Sequence, residues 1–277
     1  MAIYNIFIMT VAILLQVYSR PTTAAHFVLV HGSGHGAWCW YKLAALLEQA
    51  GQNVTAIDLA YSGRNEIPLI SVRTIDGYQE PLFTYLECLS PQDKVILVGH
   101  SYGGYAISSA MERFPAKLTG AVFVSAFMVG PNLTFNQLGA SFNPGASFFN
   151  DSKYIGDPPR IVLFGPNYLA TKLYQNSPPQ DLKLANYSVR TTQFFYGELT
   201  NRQLLVTNER YGSVRRAYVI GGMDMAIPPD SQRLFIASNP PEIVREIPGA
   251  DHMVMLSTPQ EFCANLLEIA QVFTGSR

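Results

Sequence analysis

The feature that most constrains the fold is a G-x-S-x-G turn placed between a strand pattern and a helix pattern. The pentapeptide GHSYG centres on Ser101. The apolar run KVILV at residues 94–98 before it is typical of a buried strand, and residues 105–114 after it are typical of a helix. Such a turn holds the serine in a strained backbone conformation and exposes its hydroxyl at the edge of a sheet. Ser101 is therefore a candidate nucleophile.

The rest of the chain continues this alternation of strand and helix patterns. Strands joined by helices form right-handed crossovers and a parallel sheet that is covered on both faces. The sequence thus predicts an α/β fold with a mostly parallel, doubly wound sheet. The predicted strands are 26–31, 53–59, 94–98, 118–125, 216–220 and 242–247, and the predicted helices are 38–50, 105–114, 230–238 and 259–273.

Between about residues 130 and 201 the alternation breaks. Proline, asparagine, serine and phenylalanine are frequent there, and the stretch is longer than a connecting loop normally is. We therefore expect an inserted cap at about 130–201 that covers the site, within one folded unit of residues 26–277.

Residues 1–25 have a different character. The apolar run at residues 6–17 is too short to span a bilayer, and small residues follow it at 22–25. This is typical of a cleavable secretory signal peptide, although no Lys or Arg precedes the apolar run. We expect a secreted glycoprotein, and a cytoplasmic protein that keeps this extension is the alternative. The N-x-S/T sites are Asn53, Asn132, Asn150 and Asn186.

Composition excludes several other classes of protein. The 19 basic and 20 acidic residues give a net charge of −1, whereas a nucleic-acid-binding protein needs a basic excess. The 48% of hydrophobic residues is typical of a globular chain rather than a disordered one. The three cysteines form no C-x-x-C pair, and we interpret all of them as small buried side chains. We expect no nucleic-acid partner and no stable membrane span, and a homodimer is left open.

A serine hydroxyl attacks a substrate only when a base removes its proton. Of the five histidines, only His252 follows Ser101, as the chain order serine, acid, histidine requires. The acid must lie between them. Asp224 is preferred because it follows a predicted strand and so lies at the sheet edge where Ser101 emerges. The other acidic candidates are Asp230, Glu242, Glu246 and Asp251.

A glycine-rich loop, HGSGHG at residues 31–36, follows the first predicted strand. The backbone N–H groups of Ser33 and Tyr102 are candidate donors to an oxyanion that develops beside the nucleophile. The loop is not G-x-G-x-x-G, so it predicts no dinucleotide cofactor. His31 and His35 suggest a metal site, but no third and fourth ligands are grouped with them. We expect instead that both bond to nearby backbone.

Seven segments, in order along the chain, carry a family resemblance. They are HFVLVHGSGHGAWCWYKL (26–43), VTAIDLAYSG (54–63), KVILVGHSYGG (94–104), AVFVSAFMVGPNLTF (121–135), FGPNYLATKLYQNSPPQDLKLA (164–185), YGSVRR (211–216) and DHMVMLSTPQEF (251–262). On these segments the chain resembles the plant methylesterase and hydroxynitrile lyase branch of the α/β-hydrolases, which includes salicylate methylesterase and polyneuridine-aldehyde esterase. The resemblance implies the α/β-hydrolase fold with an inserted cap.

Two positions separate the esterases of this branch from its lyases. A lyase typically has Thr in place of Gly32 and Lys in place of Met253, where the Lys stabilises the departing cyanide. Gly32 and Met253 therefore indicate an esterase, with both residues at the substrate pocket. The resemblance also implies a triad and an oxyanion hole, formed by Ser101, Asp224 and His252 and by the N–H groups of Ser33 and Tyr102.

The sequence thus predicts a serine carboxylesterase that acts through an acyl-enzyme, with no cofactor or metal. Its expected partner is a small-molecule ester, namely a methyl or other small alkyl ester of a small apolar carboxylic acid. Alternatives from other classes are a hydroxynitrile lyase on the same triad, and a small-ligand receptor or carrier with little turnover. A lipase or acyltransferase for longer chains is a weaker alternative. Tyr102 stands where relatives often have Leu or Ile, which bears on substrate size.

Overall fold

The computed structural model describes residues 24–133, 137–138, 146–155, 161–195 and 205–275. Apart from residues 24 and 25, the predicted signal peptide at 1–25 lies outside them. Within these ranges no helix is both long and apolar enough to cross a membrane.

A central sheet of six parallel strands confirms the predicted fold class. The strands are β1 (His26–Val30), β2 (Asn53–Ile57), β3 (Val95–His100), β4 (Leu118–Val124), β5 (Lys153–Ile155), β6 (Ile161–Leu163), β7 (Thr192–Gln193), β8 (Arg216–Gly221) and β9 (Ile243–Ile247). The order of strands in the central sheet is β2-β1-β3-β4-β8-β9, and the predicted strands of this sheet differ from the observed ones only at their ends.

Helices cover both faces of this sheet. The predicted helices are present, although the first begins with a 3-10 turn at Ala37–Trp40. The helices are α1 (Tyr41–Gln49), α2 (Ile75–Cys88), α3 (Gly103–Arg113), α4 (Pro166–Tyr168), α5 (Pro179–Ser188), α6 (Pro229–Ser238), α7 (Val254–Ser257) and α8 (Pro259–Thr274), and further 3-10 turns are at Leu69–Ser71, Pro115–Lys117, Ala146–Phe149 and Tyr211–Ser213.

Helix α2 was not among the predicted helices. Its first turn is capped by Thr74, whose hydroxyl accepts a hydrogen bond from Gly77 N at 3.0 Å. Gly77 and Pro81 interrupt its helical pattern, and the buried face of the helix compensates for both. Cys88, at its end, is exposed, so the expectation of three buried cysteines was wrong. Cys88 faces water because it lies outside the buried stripe of α2.

The sheet separates two hydrophobic cores because side chains alternate along each strand. Val28 and Val30 of β1 pack with α2, α3 and α6, whereas Phe27 and Leu29 pack with α1, α7 and α8. Burial on both faces explains why these strands are continuous apolar runs in the sequence.

The region between β4 and β8 differs from the rest of the fold. Strands β5, β6 and β7 form a separate antiparallel sheet. Helices α4 and α5 lie between β6 and β7 along the chain. A π-helical turn, Leu169–Leu173, continues α4. These elements lie within the predicted cap at about 130–201, whose bounds remain a prediction because residues 134–136, 139–145, 156–160 and 196–204 are outside the described part.

The strand order reverses between β1 and β3, since β1 leads to β2 on one side and β3 leads to β4 on the other. In parallel sheets a crevice forms at such a point, outside the carboxyl ends of the strands. The loops that follow β1, β3, β8 and β9 meet at this edge. They carry Ser33, Ser101, Asp224 and His252.

Candidate active site

Ser101 lies in the tight turn between β3 and α3. Its φ of +54° is in the left-handed region, which a serine adopts only where the surroundings hold it. Ser101 N donates to Val124 O at 3.3 Å, and Ser101 O accepts from Gly104 N and Phe127 N at 3.0 and 3.2 Å. A Cβ at Gly103 would lie 2.6 Å from a backbone oxygen at the end of β1, so only glycine lets α3 approach so closely. The turn has the strained geometry that the motif predicts.

His252 and Asp224 form a buried pair, with His252 Nδ1 2.8 Å from Asp224 Oδ2. Because a carboxylate accepts, Nδ1 carries the proton and Nε2 is left as the acceptor. Asp224 Oδ1 accepts from the N–H groups of Ala226 and Ile227, each at 2.8 Å, and Oδ2 also accepts from Gln232 Nε2 at 3.1 Å. The carboxylate is therefore held by four donors and selects one imidazole tautomer.

The other acidic candidates have different partners. Asp230 has a side chain that is 98% exposed and pairs with Arg233, which also binds Glu246 at 2.8 Å. Glu242 binds Arg215 at 2.8 Å on the surface. None of these three carboxylates belongs to the site.

Asp251 is buried next to His252 but points towards the cap. Its Oδ2 accepts from Asn176 N at 3.0 Å and from Ser177 Oγ at 2.8 Å, and its Oδ1 accepts from Met253 N at 2.9 Å. Burial raises the pKa of this carboxyl, and its hydrogen bonds oppose that effect. Asp251 therefore links the histidine loop to the cap.

His100, the last residue of β3, contacts the loop that carries His252. Its Nε2 donates to His252 O at 2.8 Å, and its Nδ1 has no hydrogen-bond partner in the described part of the chain. Burial, followed by the neighbouring His252 and His35, holds the pKa of His100 well below its usual value. The ring is therefore neutral and fixes the backbone of the loop that carries His252.

The glycine-rich loop after β1 is held by its own histidines, as predicted. His31 Nδ1 donates to Gly32 O at 2.8 Å and His31 Nε2 accepts from Leu59 N at 3.1 Å, while His35 Nδ1 donates to Ser33 O at 2.8 Å. Within the described residues, Ser33 N–H donates to no protein acceptor. Since a buried N–H is normally paired, this donor is available to a ligand.

Gly32 brings the loop against the nucleophile. A Cβ at this position would lie 2.7 Å from Ser101 Cβ and 3.2 Å from Ser101 Oγ. Real Cβ atoms do not approach so closely. A side chain at residue 32 would therefore displace Ser101 or occupy the place of a substrate carbonyl.

A cavity of about 90 Å³ lies above Ser101, and most of the predicted site residues line it. No Lys, Arg, Asp or Glu is among the described lining residues, which are Gly32, Ser33, His35, His100, Ser101, Tyr102, Tyr105, Phe127, Phe148, Phe149, Phe164, Tyr168, Leu173, Phe194, Ala226, Ile227 and His252. Met253, expected at the pocket, is instead fully buried and packs in the core beside α1 and α8. Met253 is the N-cap residue of α7, and its side chain packs into that core.

Two parts of the predicted cap support this site: one lines the cavity, and the other binds the loops that surround it. The first, which we call the aromatic wall, contains rings in mutual contact with centroids 5.0–6.4 Å apart. Its members are Phe148, Phe149, Phe164, Tyr168 and Phe194.

The second part, residues 174–181, we call the polar seam because it is hydrogen-bonded to several core loops. Tyr174 OH is 2.7 Å from His35 Nε2, and Gln175 Nε2 donates to Met223 O at 2.6 Å. The next two residues of the seam, Asn176 and Ser177, donate to Asp251 as described above. At its end Asp181 is buried and accepts from Tyr41 OH at 2.7 Å and from Lys42. The seam thus contacts the loops that carry Ser33, Asp224 and His252.

A model of the α/β-hydrolase family matches residues 27–265 of the chain. The chain belongs to the α/β-hydrolase family. This hydrolase is 46% identical to methyl jasmonate esterase 1 of Vitis vinifera over 257 residues, which cover 90% of this chain and 98% of that protein. It is 46% identical to norfluorocurarine synthase 2 of a Strychnos species over 262 residues, which cover 91% and 98%.

Among solved structures, the crystal structure of polyneuridine aldehyde esterase matches this hydrolase with a TM-score of 0.86 and 41% identity, covering 90% of this chain and 100% of that one. The predicted resemblance and the α/β-hydrolase fold are thereby confirmed. Sequence reasoning did not find the site partners Gln232 and Tyr174. Gln232 carried a weak signal, since it lies one turn into a helix that follows Asp224 closely.

Proposed function

We propose that this hydrolase is a serine carboxylesterase that cleaves methyl or other small alkyl esters of small apolar carboxylic acids. The observation that carries the proposal is the buried Asp224–His252 pair, which faces the same cavity as the strained Ser101. The names of relatives, methyl jasmonate esterase and polyneuridine aldehyde esterase among them, support the same reaction.

In the proposed reaction, His252 Nε2 takes the proton of Ser101 Oγ as this oxygen attacks the ester carbonyl. The tetrahedral intermediate collapses when His252 gives the proton to the leaving alcohol, and the acyl group stays on Ser101. Water then attacks the acyl carbon, and His252 takes its proton and returns it to Ser101 Oγ as the acid leaves. Asp224 holds the imidazole tautomer and stabilises the transient imidazolium.

The oxyanion of each intermediate is assigned to the N–H groups of Ser33 and Tyr102. Ser33 N–H has no acceptor in the described structure, and Tyr102 is the N-cap residue of α3, where the helix dipole favours negative charge. Donors fixed in place before the reaction stabilise the developing charge without reorganisation.

The cavity favours an ester over a cyanohydrin. Glycine at position 32 leaves room for a planar ester carbonyl beside Ser101, whereas a lyase needs a hydroxyl there. No cation is among the described lining residues to stabilise a departing cyanide. The aromatic lining suits an uncharged apolar acyl group, because burying a charge without a partner is costly.

The test is methanol release from a panel of methyl esters by the full chain and by Ser101→Ala. Ser109→Ala is the matched control, since Ser109 lies on α3, the helix that follows Ser101, and its buried hydroxyl has no hydrogen-bond partner within the described residues. We expect release by the wild type and by Ser109→Ala, and none by Ser101→Ala. Binding of panel members without release by the wild type would indicate a receptor or carrier, and cyanide release from mandelonitrile would indicate a lyase.

The proposal includes secretion and glycosylation. Residues 6–25 supply the signal-peptide pattern, and the asparagine of every N-x-S/T site is exposed. Expression in plant cells, followed by peptide-N-glycosidase treatment, tests both points. A smaller mass after treatment and a mature N-terminus near residue 26 are expected, whereas an unmodified full-length chain would indicate a cytoplasmic protein.

A further inference from the structure

The imidazole of His35 connects the cap to the loop that carries Ser33. Its Nδ1 is 2.8 Å from Ser33 O, and its Nε2 is 2.7 Å from Tyr174 OH. A carbonyl oxygen only accepts, so Nδ1 carries the proton. In the neutral ring Nε2 is then an acceptor, and the hydroxyl of Tyr174 donates to it. The tautomer that holds Ser33 is thus the one that Tyr174 selects.

The protonation of both partners is set by burial. Burial lowers the pKa of His35 to about 3; the hydrogen bond to Ser33 opposes this effect, and the neighbouring His31 and His252 add to it. Burial also holds the pKa of Tyr174 well above its usual value. His35 is therefore neutral and Tyr174 keeps its proton across the range in which proteins work.

The plane of the ring is fixed as well. One face of the His35 ring stacks on Trp38, with centroids 5.3 Å apart, and the Nε2 edge of the ring is held by the hydroxyl of Tyr174. Neither the tautomer nor the orientation of the ring can change without moving one of these neighbours. A donor fixed in this way orients its acceptor more strictly than a flexible side chain does.

The loop that His35 holds contains the proposed oxyanion donor. His31 Nδ1 binds Gly32 O, which belongs to the same peptide group as Ser33 N–H. His35 Nδ1 binds Ser33 O, which belongs to the next peptide group. Gly34 follows with a φ of +72°, so the loop turns sharply there and would otherwise be free to rotate. The two histidines together determine where Ser33 N–H points.

Tyr174 itself is placed by the cap. It ends the π-helical turn Leu169–Leu173, and its N–H donates to Leu169 O at 2.9 Å. Such turns occur frequently at functional sites. The next residues, Asn176 and Ser177, bind Asp251 beside the catalytic histidine. The hydroxyl of Tyr174 thus has little freedom to leave His35.

We infer that Tyr174 and His35 are positioning residues for the oxyanion hole, and that through them the docked cap orients the N–H group of Ser33. The inference rests on the proposed function, since it assumes that an oxyanion forms beside Ser101. The cap then does more than cover the cavity, because an undocked polar seam would leave the oxyanion hole misaligned.

The deciding variant is Tyr174→Phe, which removes only the hydroxyl. We expect kcat on the best methyl ester to fall about 10-fold with KM within about twofold, since a misaligned donor costs less than a missing one. Affinity for a trifluoromethyl ketone of the same acyl group, to which Ser101 adds to form a hemiketal oxyanion, falls by the same factor.

Tyr41→Phe is the matched control. It removes another tyrosine hydroxyl that links the cap to the core, through Asp181, but it lies away from Ser33. We expect kcat and ketone affinity to remain within about twofold of the wild type, since Lys42 still binds Asp181. An equal loss in both variants would show general loosening of the cap and would overturn the inference, as would a change confined to KM.

A second pair of variants tests His35 directly. Asn at position 35 can still donate to Ser33 O, whereas Leu cannot, so His35→Asn should retain more kcat than His35→Leu. Thermal unfolding checks that each variant folds. Should Tyr174→Phe fail to fold, the His35→Asn and His35→Leu pair decides the same question.

A ¹⁵N spectrum of histidine-labelled protein separates this inference from the proposed function. The His35 resonances, identified by their loss in His35→Asn, should show an Nδ1–H tautomer in the wild type and a mixture of tautomers in Tyr174→Phe. An Nε2–H tautomer in the wild type, or no change in the variant, overturns the inference that Tyr174 acts on Ser33 through His35. Absence of ester hydrolysis by the wild type overturns the proposed function, whereas the tautomer of His35 can still be measured and compared between the two proteins.

Discussion

The aromatic wall lines the cavity, whereas the polar seam binds the loops beside it, and the two use different kinds of interaction. The seam holds core loops through hydrogen bonds of 2.6–3.3 Å between named donors and acceptors. The wall contributes rings that pack on one another. Hydrogen bonds fix atoms in direction as well as distance, whereas apolar contacts mainly fix a shape. We therefore expect the seam to affect kcat and the wall to affect KM.

The largest expected effect separates the two aspartates beside His252. Asp224→Asn should lower kcat about 10⁴-fold with a small change in KM, because the amide selects the wrong imidazole tautomer. Asp251→Asn, which changes the contacts to the seam and to Met253 N but none to the His252 ring, should cost about 10-fold or less. Steady-state kinetics of both variants measure the difference. Equal losses would mean that the seam is as important to the reaction as the triad is.

The next effect concerns the room beside the nucleophile. Gly32→Ala places a Cβ 2.7 Å from Ser101 Cβ and should lower kcat/KM about 100-fold, comparable to the loss of one oxyanion donor. Gly249→Ala is the control on the histidine loop, where an added Cβ has no neighbour within 4 Å. Near-normal activity of Gly32→Ala would show that the loop moves away from Ser101, contrary to the hydrogen bonds that hold it.

The aromatic wall is tested by Phe164→Ala. Loss of this buried ring should raise KM about 10-fold for esters of large apolar acids and leave kcat within about threefold, since a lost apolar contact weakens ground state and transition state alike. Tyr154→Ala, an exposed ring that contacts Phe149, is the control. A fall in kcat at unchanged KM would contradict the division between wall and seam.

The smallest expected effect is the part of the pH dependence of stability that comes from His35, the residue to which Tyr174 of the seam donates. The folded pKa of His35 is about 3 and the unfolded value is 6.5, so between them the unfolded chain binds more protons. Stability is complete above about pH 6.5 and falls as the pH is lowered, by roughly 1 kcal/mol per pH unit from this residue. Denaturant titrations from pH 7 to 5 should show a smaller slope of the unfolding free energy against pH for His35→Asn than for the wild type. An unchanged slope would contradict the lowered pKa of His35.

The sequence predicts site residues most directly where the chemistry is local. Ser101 is predicted as the nucleophile from five residues with a strand and a helix around them, and His252 is predicted as the base from chain order. The structure places both at one cavity and pairs His252 with Asp224. Met253 was placed wrongly at the cavity surface, because the direction of its side chain depends on how α7 packs.

Local patterns in the sequence suffice to predict the parallel sheet, the strained serine turn and the edge at which the four loops meet. These features follow from side-chain periodicity and turn chemistry, which act between neighbouring residues. The residues of the predicted cap that support the site are identified by long-range packing alone. Tyr174 and His35 are 139 residues apart, and Ser177 and Asp251 are 74 apart. Such pairs leave no periodic pattern in the sequence, because each depends on how the cap docks on the sheet.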